Sequence, residues 1–392
     1  MQAGAPLILE VMHYLDHAAT TPVLPEVTEL MLRVLEEDFG NPSSVHAAGR
    51  QAKERVEDAR ERVAAAVGAG PGEIVFTGGG TEADNLALKG AADKLRGNGN
   101  HIVVTAFEHH AVLDAAHALE SRDFDVTVVP VTPDGLVEPE SVVAAVGSRT
   151  LVVSIMAVNN EIGTVQDIPA LVSAVKQANP GTLVHTDAVQ GLGNIPVDVH
   201  AWGVDLASFA AHKVGGPKGV GALFVRSHVP LEAVIHGGGQ ERGMRSGTLN
   251  VPGIAGFGIA AEIAAKEVHE KAERVGELRD RLLSGMRESV PDLVVNGSLE
   301  RRAANNLNVC IPGAEGEILL LLLDQAGIAC SSGSACASGA LDPSHVLLAI
   351  GVDRELAKGS LRFSLGRSSV VDDVDAVLEH LPGIVDRARR AA

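Results

Sequence analysis

Aromatic residues and cysteine are scarce in this sequence. Phe, Trp and Tyr make up 3% of its 392 residues, so the aliphatic side chains of Val, Leu, Ile and Ala must fill most of the core. The three cysteines, Cys310, Cys330 and Cys336, are too few, and odd in number, for a disulfide scaffold, and they lack the Cys/His spacing of a zinc site. This cysteine usage is typical of a reducing cytoplasm.

Basic residues and long apolar runs are also in short supply. There are 32 Lys and Arg residues against 50 Asp and Glu residues, and the net charge of -18 excludes nucleic-acid binding as the main function because it repels phosphates. The longest apolar run, residues 318–323, is much shorter than a membrane span. Residues 1–10 contain no basic residue, which argues against a signal peptide. We expect a cytoplasmic protein that binds neither nucleic acid nor membrane.

Short β-branched runs alternate with amphipathic helical patterns in the first part of the chain. Strands are predicted at residues 74–76, 102–105, 126–129, 151–155, 183–186, 206–209 and 221–225. Helical patterns lie between several of them, as at residues 82–95, 112–121 and 168–178. This alternation predicts an α/β fold with a mostly parallel seven-stranded sheet flanked by helices, in which ligands bind at the carboxyl ends of the strands.

The length of the chain indicates a second domain, because one core rarely serves so many residues. A long helical segment is predicted from residue 254 to about residue 290. Shorter elements follow at residues 293–295, 306–310, 315–325 and 360–364, with a final helix from residue 371. We predict a large domain of residues 14–260 and a smaller α+β domain of residues 1–13 and 261–392. The smaller domain would carry a loop at about residues 328–345.

This loop holds Cys336, at the end of the run Ser-Ser-Gly-Ser-Ala-Cys that starts at Ser331. Small and polar neighbours offer little apolar surface to bury a thiol, so the loop is predicted to be exposed and mobile. A thiol on such an arm could be loaded at one site and presented at another. From these residues alone, a surface linker with an incidental cysteine explains the pattern equally well.

Three further motifs follow predicted strands. Residues 77–85, with Gly78, Gly79 and Gly80 before a helix, predict either a phosphate site at the helix N-terminus or simply a capped helix. Asp187 ends an apolar strand, either as a buried acid paired with a cation or as a helix N-cap. Lys213 lies just beyond another strand, either as a nucleophilic amine or as a solvated surface lysine. A phosphate cradle, a buried acid and a reactive lysine together are typical of a site for pyridoxal 5'-phosphate (PLP).

Motifs through most of the chain now point to one family. They are YLDHAATTP at 14–22, GNPSS at 40–44, TGGGTEADN at 77–85, EH at 108–109, NNEIG at 159–163, HTDAVQ at 185–190, HK at 212–213, ERGMRSGT at 241–248, SSGSAC at 331–336 and RFSLGR at 362–367. In this set the chain resembles the class V aminotransferase group of PLP enzymes, and specifically the cysteine desulfurases of the NifS/IscS type. The resemblance implies the two-domain fold of fold type I PLP enzymes.

The resemblance also assigns roles to residues. Lys213 is similar to the lysine that binds PLP covalently and moves protons at the substrate, Asp187 to the partner of the pyridine nitrogen, and His109 to the imidazole stacked on the ring. Arg362 resembles the guanidinium that binds the substrate carboxylate. The remaining cofactor contacts implied are Gly80, Thr81, Asn160, Gln190 and His212, together with Thr248 from the second subunit of a homodimer; Asn160 is also implied to contact the substrate.

The activity implied is the removal of sulfur from L-cysteine. Cys336 matches the nucleophile, which as a thiolate takes the substrate sulfur as a persulfide and leaves L-alanine. An iron–sulfur scaffold protein or another sulfur acceptor would then receive the sulfur, and Cys336 is a candidate contact for a nascent iron–sulfur cluster. No metal is expected in the PLP site. The long loop sequence resembles the subgroup with an extended catalytic loop.

Two departures from the family pattern stand out. Ala210 replaces a serine that commonly donates to the PLP phosphate, and Gly215 stands where an aromatic residue is common. Cys330 is predicted to be a buried apolar residue rather than a second sulfur carrier. Two other functions stay open from the sequence: an aminotransferase or selenocysteine lyase on the same scaffold, and a catalytically silent scaffold that binds assembly partners.

Overall fold

The computed structural model describes residues 12–332 and 343–391. Its strands are His13–Tyr14 (β1), Ile74–Thr77 (β2), His101–Thr105 (β3), Asp125–Val129 (β4), Thr150–Ser154 (β5), Leu183–Asp187 (β6), Leu206–Ala210 (β7), Gly221–Val225 (β8), Val294–Val295 (β9), Asn306–Cys310 (β10), Ile328–Ala329 (β11) and Ser360–Ser364 (β12). Its helices are Pro25–Glu37 (α1), Ala47–Val67 (α2), Gly80–Leu95 (α3), His110–Glu120 (α4), Pro139–Ala145 (α5), Ile168–Ala178 (α6), Val199–Trp202 (α7), Val251–Lys266 (α8), Val268–Ser289 (α9), Gly316–Gln325 (α10), His345–Ala349 (α11), Arg354–Lys358 (α12) and Val371–Ala391 (α13).

The main sheet has seven strands in the order β2-β8-β7-β6-β5-β3-β4. Every neighbouring pair from β7 to β4 is parallel, and β8 runs antiparallel to both β7 and β2. The mostly parallel α/β sheet expected from the sequence is therefore confirmed. Because β2, β3, β5, β6 and β7 all point the same way, the loops after them meet at one edge of the sheet.

Helices cover both faces of this sheet, which explains why its strands are apolar on both sides. Helices α3 and α4 pack together on one face, over a cluster that includes Leu88, Ile102 and Leu119. Helices α2, α6 and α8 belong to the cluster on the other face, where Phe76 and Phe209 are fully enclosed or nearly so. This double layer holds the strand ends rigidly, and with them the residues that follow.

A smaller part of the chain has its own core. Strands β12, β10 and β9 form an antiparallel sheet, and β1 pairs in parallel with β11. Helices α9, α10 and α13 pack against these strands around Leu282, Leu307 and Phe363. The division into domains at residues 14–260 and 261–392 stays a prediction.

The long helical segment expected over residues 254–290 is two helices, so the expectation of one continuous segment is wrong in detail. Helix α8 ends at Lys266 and α9 begins at Val268, with Glu267 at φ −93° and ψ 0° between them. No Gly or Pro lies at the junction, so the usual signal for a helix end is absent, and only the change from the apolar α8 to the charged α9 marks the break. No described helix is long and apolar enough to cross a membrane.

Candidate active site

The loops that follow five parallel strands enclose a cavity of about 390 Å³, called here the central cavity. Nine residues predicted from the sequence lie around it: Gly80, Thr81, His109, Asn160, Asp187, Gln190, His212, Lys213 and Arg362. They come from the ends of β2, β3, β5, β6 and β7 and from β12. Two other predicted residues are elsewhere. Thr248 is exposed and is not part of this wall, and Cys336 lies outside the described residues.

The N-terminus of α3 opens onto the central cavity through a glycine turn. Gly79 has φ 150°, a backbone conformation that side chains disfavour. A Cβ on Gly80 would lie 2.8 Å from Val189 Cγ2, and one on Gly221 would lie 2.6 Å from the Gly79 carbonyl carbon. The glycines therefore let the turn approach β8 and the segment after β6 closely. The first backbone N–H groups of α3 are left to bind an anion such as a phosphate.

Asp187 supplies a buried acid at the cavity wall. Its side chain ends β6, only 3% of the residue is exposed, and it accepts a hydrogen bond from the Val189 N–H at 2.9 Å. Burial raises the pKa of Asp187 to about 6, although the positive charge of Lys213 lowers it in part. A buried carboxylate is stabilised by contact with a positively charged group, and the protonated ring nitrogen of PLP is such a group. The residues around the cavity therefore fit that cofactor.

Lys213 reaches the cavity from the turn Ala211–Lys213 that follows β7. Its Nζ donates to the Ala18 carbonyl at 2.7 Å and to the Ala19 carbonyl at 2.8 Å. The neighbouring His212 contacts Thr20 Oγ1 through Nδ1 at 3.2 Å, and burial lowers its pKa to about 4. The segment after β1 thus holds both the lysine and the histidine in place.

His109 caps the N-terminus of α4. Its Nδ1 accepts a hydrogen bond from the Ala111 N–H at 3.1 Å, which leaves any proton on the other ring nitrogen. Burial, and then the charge of Lys213, lowers the pKa of His109 to about 4. The imidazole is therefore neutral at physiological pH. Gln190 also borders the cavity, and its Nε2 donates to the Ala18 carbonyl at 2.8 Å.

Arg362 projects from β12 and is 2% exposed. Its Nη2 donates to Asp16 Oδ1 at 2.7 Å and its Nη1 donates to the Asn160 carbonyl at 2.9 Å. Its Nε has no hydrogen-bond partner among the described residues. The contact with Asp16 was missed in the sequence, although Asp16 lies in the motif at residues 14–22. Nothing in the sequence shows that this motif meets β12.

A buried polar network behind Asp187 was also missed. Asp84, on α3, is 1% exposed and lies 3.5 Å from Nε2 of His185. His185 in turn contacts Ser154 Oγ at 2.8 Å and Ser208 Oγ at 2.9 Å. Burial, and then the charge of the nearby Asp187, raises the pKa of Asp84 well above its usual range and so favours its neutral form. The sequence signal for this network was the presence of polar residues inside one helix and three apolar strands: α3, β5, β6 and β7.

Glu108 is the second buried carboxyl that the sequence did not reveal. It is 0% exposed, and its Oε1 accepts from the Thr105 hydroxyl at 2.5 Å and from the Met156 N–H at 2.7 Å. Its Oε2 has no partner among the described residues. Burial raises the pKa of Glu108 to about 8, so the folded protein binds a proton there at neutral pH.

This raised pKa predicts a loss of stability with rising pH. Between the reference value of 4.5 and about 8, the folded protein without cofactor binds more protons at Glu108 than the unfolded chain, so its free energy of unfolding falls as pH rises. Glu108→Gln cannot ionise. We expect it to be more stable than the unmodified protein at pH ~9, by up to about 5 kcal/mol at 1.36 kcal/mol per pKa unit, and not at pH ~5.

Urea unfolding of the cofactor-free protein at the two pH values measures this difference. Glu54→Gln, at an exposed position, is the surface control and should behave alike at both. A difference between Glu108→Gln and the unmodified protein that does not change with pH would contradict the assignment of the proton to Glu108.

The two described cysteines are poor nucleophiles. Burial raises the pKa of Cys310 to about 11 and that of Cys330 to about 12, so both stay protonated at neutral pH. Cys330 packs beside the smaller core, as the sequence predicted for a structural residue. Among the described residues, no group of three or more His, Cys, Asp or Glu side chains could hold a metal ion.

Comparison with known proteins agrees with this geometry. Residues 13–377 match the family model described as aminotransferase class-V. The chain is 48% identical over 378 residues to the cysteine desulfurase IscS of Clostridium botulinum, covering 96% of this chain and 95% of that protein. A solved structure described as a NifS-like protein matches with a TM-score of 0.91 and 41% identity, over 96% of this chain and all of that one. Another, described as SspA in complex with cysteine, matches with a TM-score of 0.80 and 35% identity, over 91% and 99%.

Proposed function

The chain belongs to the class V aminotransferase family and, within it, to the PLP-dependent cysteine desulfurases of the IscS type, and we propose that L-cysteine is converted to L-alanine in the central cavity. The observation that carries the proposal is the meeting of Lys213, Asp187 and Arg362 around one cavity of about 390 Å³. An amine, a buried acid and a buried guanidinium there are suited to bind PLP and an amino acid together. When bound, PLP supplies an acceptor for the negative charge that develops on the substrate α-carbon.

The protein residues hold the cofactor and move protons. Asp187 keeps a proton on the ring nitrogen, because a buried carboxylate is stabilised by a cation in contact with it. Asp84 remains protonated behind it and so does not compete for that role. The Lys213 amine binds the cofactor and, once released by substrate, takes and returns a proton at the substrate α-carbon. The neutral ring of His109 provides an uncharged face against the cofactor.

Arg362 orients the substrate by its carboxylate. The guanidinium is held by Asp16 and by the Asn160 carbonyl, and it keeps the unpartnered Nε–H for a ligand. A bidentate contact between a guanidinium and a carboxylate defines direction as well as position. This contact selects substrates that carry a carboxylate.

Cys336 is proposed as the sulfur acceptor within the enzyme. Its thiolate attacks the sulfur of the bound cysteine, an S–S bond forms, and the substrate C–S bond breaks with its electron pair left on carbon. One proton delivered to that β-carbon, and the α-proton returned by Lys213, complete L-alanine. The other two cysteines are unsuitable as nucleophiles, because burial raises the pKa values of Cys310 and Cys330 and keeps both as thiols. This leaves Cys336 as the candidate. The persulfide would then pass to an iron–sulfur scaffold protein or another acceptor.

Exposed apolar side chains support a homodimer. Leu32 and Leu35 on α1, with Phe39 and Val45 beyond it, are between 56% and 89% exposed. Such a cluster is typical of a surface covered by a partner. A single-chain mass by light scattering for the fully active enzyme would refute the dimer.

The segment that carries Thr248 also faces outward. It starts from Glu241, which is buried and receives two hydrogen bonds from Arg60 at 2.7 and 2.8 Å. Glu241 and Arg242 have φ values of 46° and 57°, a strained backbone that is kept where it has a role. Thr248 is exposed at the end of this anchored segment, which suits a contact with the cofactor of the partner subunit. A cytoplasmic location is part of the same proposal, because a thiol nucleophile needs reducing surroundings.

Product analysis tests the function. Purified holoenzyme with L-cysteine and a thiol reductant is expected to release L-alanine and sulfide in a one-to-one ratio. Mercaptopyruvate without sulfide would favour an aminotransferase, pyruvate with sulfide in place of L-alanine would favour a lyase, and turnover of selenocysteine alone would favour a selenocysteine lyase. No product and no bound PLP would indicate a silent scaffold, and each of these results would overturn the proposal.

A further inference from the structure

We propose that a second cavity, which borders Lys213 but is lined by different residues from the central cavity, binds a small monocarboxylate with an apolar body. This second cavity has a volume of about 380 Å³. It is defined by Leu24, Val214, Ala264, Lys271, Arg367 and the shared Lys213. Its size is within the range of about 300–1,000 Å³ that is usual for small-ligand pockets.

The charge of the second cavity argues for an anion. Lys271 is largely enclosed, its Nζ donates to Asn194 Oδ1 at 2.8 Å, and it forms no ion pair in the described parts of the chain. Burial, and then Arg274, lowers the pKa of Lys271 to about 8, so the amine is still mostly protonated at neutral pH. An enclosed cation without a counter-ion is costly, and an anionic ligand removes that cost.

The other charged groups limit the ligand to one negative charge. Glu267 and Arg367 both line the second cavity, and they bind each other through two hydrogen bonds of 2.8 and 2.9 Å. Their charges offset each other, and the remaining effect of Glu267 on Lys271 is weaker than the effects of burial and Arg274. Since Glu267 is already paired with Arg367, no described lining residue offers a free carboxylate for an ammonium group. An amino acid such as the product L-alanine is therefore a poor ligand.

Much of the remaining wall is apolar, although His17, Thr21, Asn305 and Ser368 also line it. Leu24, Val214, Ile263, Ala264 and Leu365 surround the space beside Lys271. Gly215 lies against Leu24 in this wall. A Cβ on Gly215 would lie 2.5 Å from Leu24 Cγ, so a larger residue at position 215 would displace Leu24. A ligand could pair its carboxylate with Lys271 and pack an aliphatic or aromatic body against these apolar side chains. It would then contact both the charged and the apolar part of the cavity.

A chain of hydrogen bonds connects the second cavity to the central one. Lys271 donates to Asn194, whose Nδ2 donates to the Gln190 carbonyl at 2.9 Å. The Gln190 amide donates to the Ala18 carbonyl, which also accepts from Lys213. Two residues, Asn194 and Gln190, therefore connect a ligand on Lys271 to the Ala18 carbonyl, which accepts a hydrogen bond from the Lys213 amine.

Calorimetric titration of the PLP-loaded enzyme with benzoate, and with neutral benzamide, tests the proposal without requiring turnover. Benzoate is expected to bind about 10-fold or more tightly than benzamide, the difference expected for a hydrogen bond to a charged group. Lys271→Gln keeps a donor for Asn194 but removes the charge, and should lose about the same factor. Ala264→Leu should abolish binding by filling the space.

Benzoate could instead bind at Arg362, and the controls separate the two sites. Binding in the second cavity should leave the KM for L-cysteine unchanged, whereas binding at Arg362 should raise it in proportion to benzoate. Competition with L-cysteine, equal binding by both variants and the unmodified enzyme, or no binding of benzoate at all would each overturn the proposal. If the variants unfold, the comparison of benzoate with benzamide and the competition experiment still decide.

Discussion

Lys213→Ala is expected to remove nearly all formation of L-alanine and sulfide from L-cysteine. The amine both holds PLP and transfers the proton at the substrate α-carbon. Loss of proton transfer alone removes about 10²–10⁴-fold in rate. Nothing else in the described wall of the central cavity can replace it, because His109 and His212 have pKa values lowered to about 4 by burial. The rate constant kcat, measured with saturating PLP and L-cysteine, reports the effect.

Covalent labelling provides the control for this result. Borohydride reduction of the holoenzyme followed by peptide mapping should place the cofactor on residue 213, and the alanine variant should carry no label. Lys218→Ala, five residues away at an exposed position, should retain both the label and the activity. A label on any other lysine would refute the assignment of Lys213.

Cys336→Ala is expected to abolish sulfide release while PLP remains bound. Without the thiolate no group accepts the substrate sulfur, so the C–S bond stays intact and the rate should fall by at least about 10³-fold, within the range for removal of an essential nucleophile. The visible absorption of bound PLP should be unchanged, because Cys336 is not among the residues proposed to hold PLP. Sulfide and alanine measured together report the effect.

Cys330→Ala is the matched control for Cys336→Ala. Cys330 lies against the smaller core, and burial raises its pKa to about 12, so its removal should change kcat by less than about 3-fold, the scale of a minor packing change. An alanine at position 330 that stops sulfide release would show that sulfur passes through Cys330. An alanine at position 336 that still releases sulfide at the normal rate would show that the nucleophile is another residue.

Much of this fold could be predicted because its strands are short, apolar and β-branched. All seven strands of the main sheet were predicted to within one or two residues. The break between α8 and α9 was missed because no Gly or Pro marks it, although the sequence changes there from the mostly apolar α8 to the highly charged α9. The residues around the central cavity could be proposed because each follows a strand, and parallel strands end at the same edge of a sheet.

Other features depend on contacts between distant segments. Asp16 lies 346 positions before Arg362 in the chain, and only the packing of the smaller part against the segment after β1 brings them to 2.7 Å. The protonation of Glu108 and Asp84 likewise depends on burial, which no local pattern specifies for a carboxyl group. The charge of Lys271 becomes a ligand site because the surrounding side chains leave a space beside it.

The sequence by itself thus determined the family and the alternation of strands and helices, and it supplied the residues proposed to carry the chemistry, because these depend on local patterns and on motifs. The tertiary structure decided which acids keep their protons, how Arg362 is held and where a second ligand would fit. Those properties depend on burial and on distances between atoms far apart in the chain, which a sequence does not state.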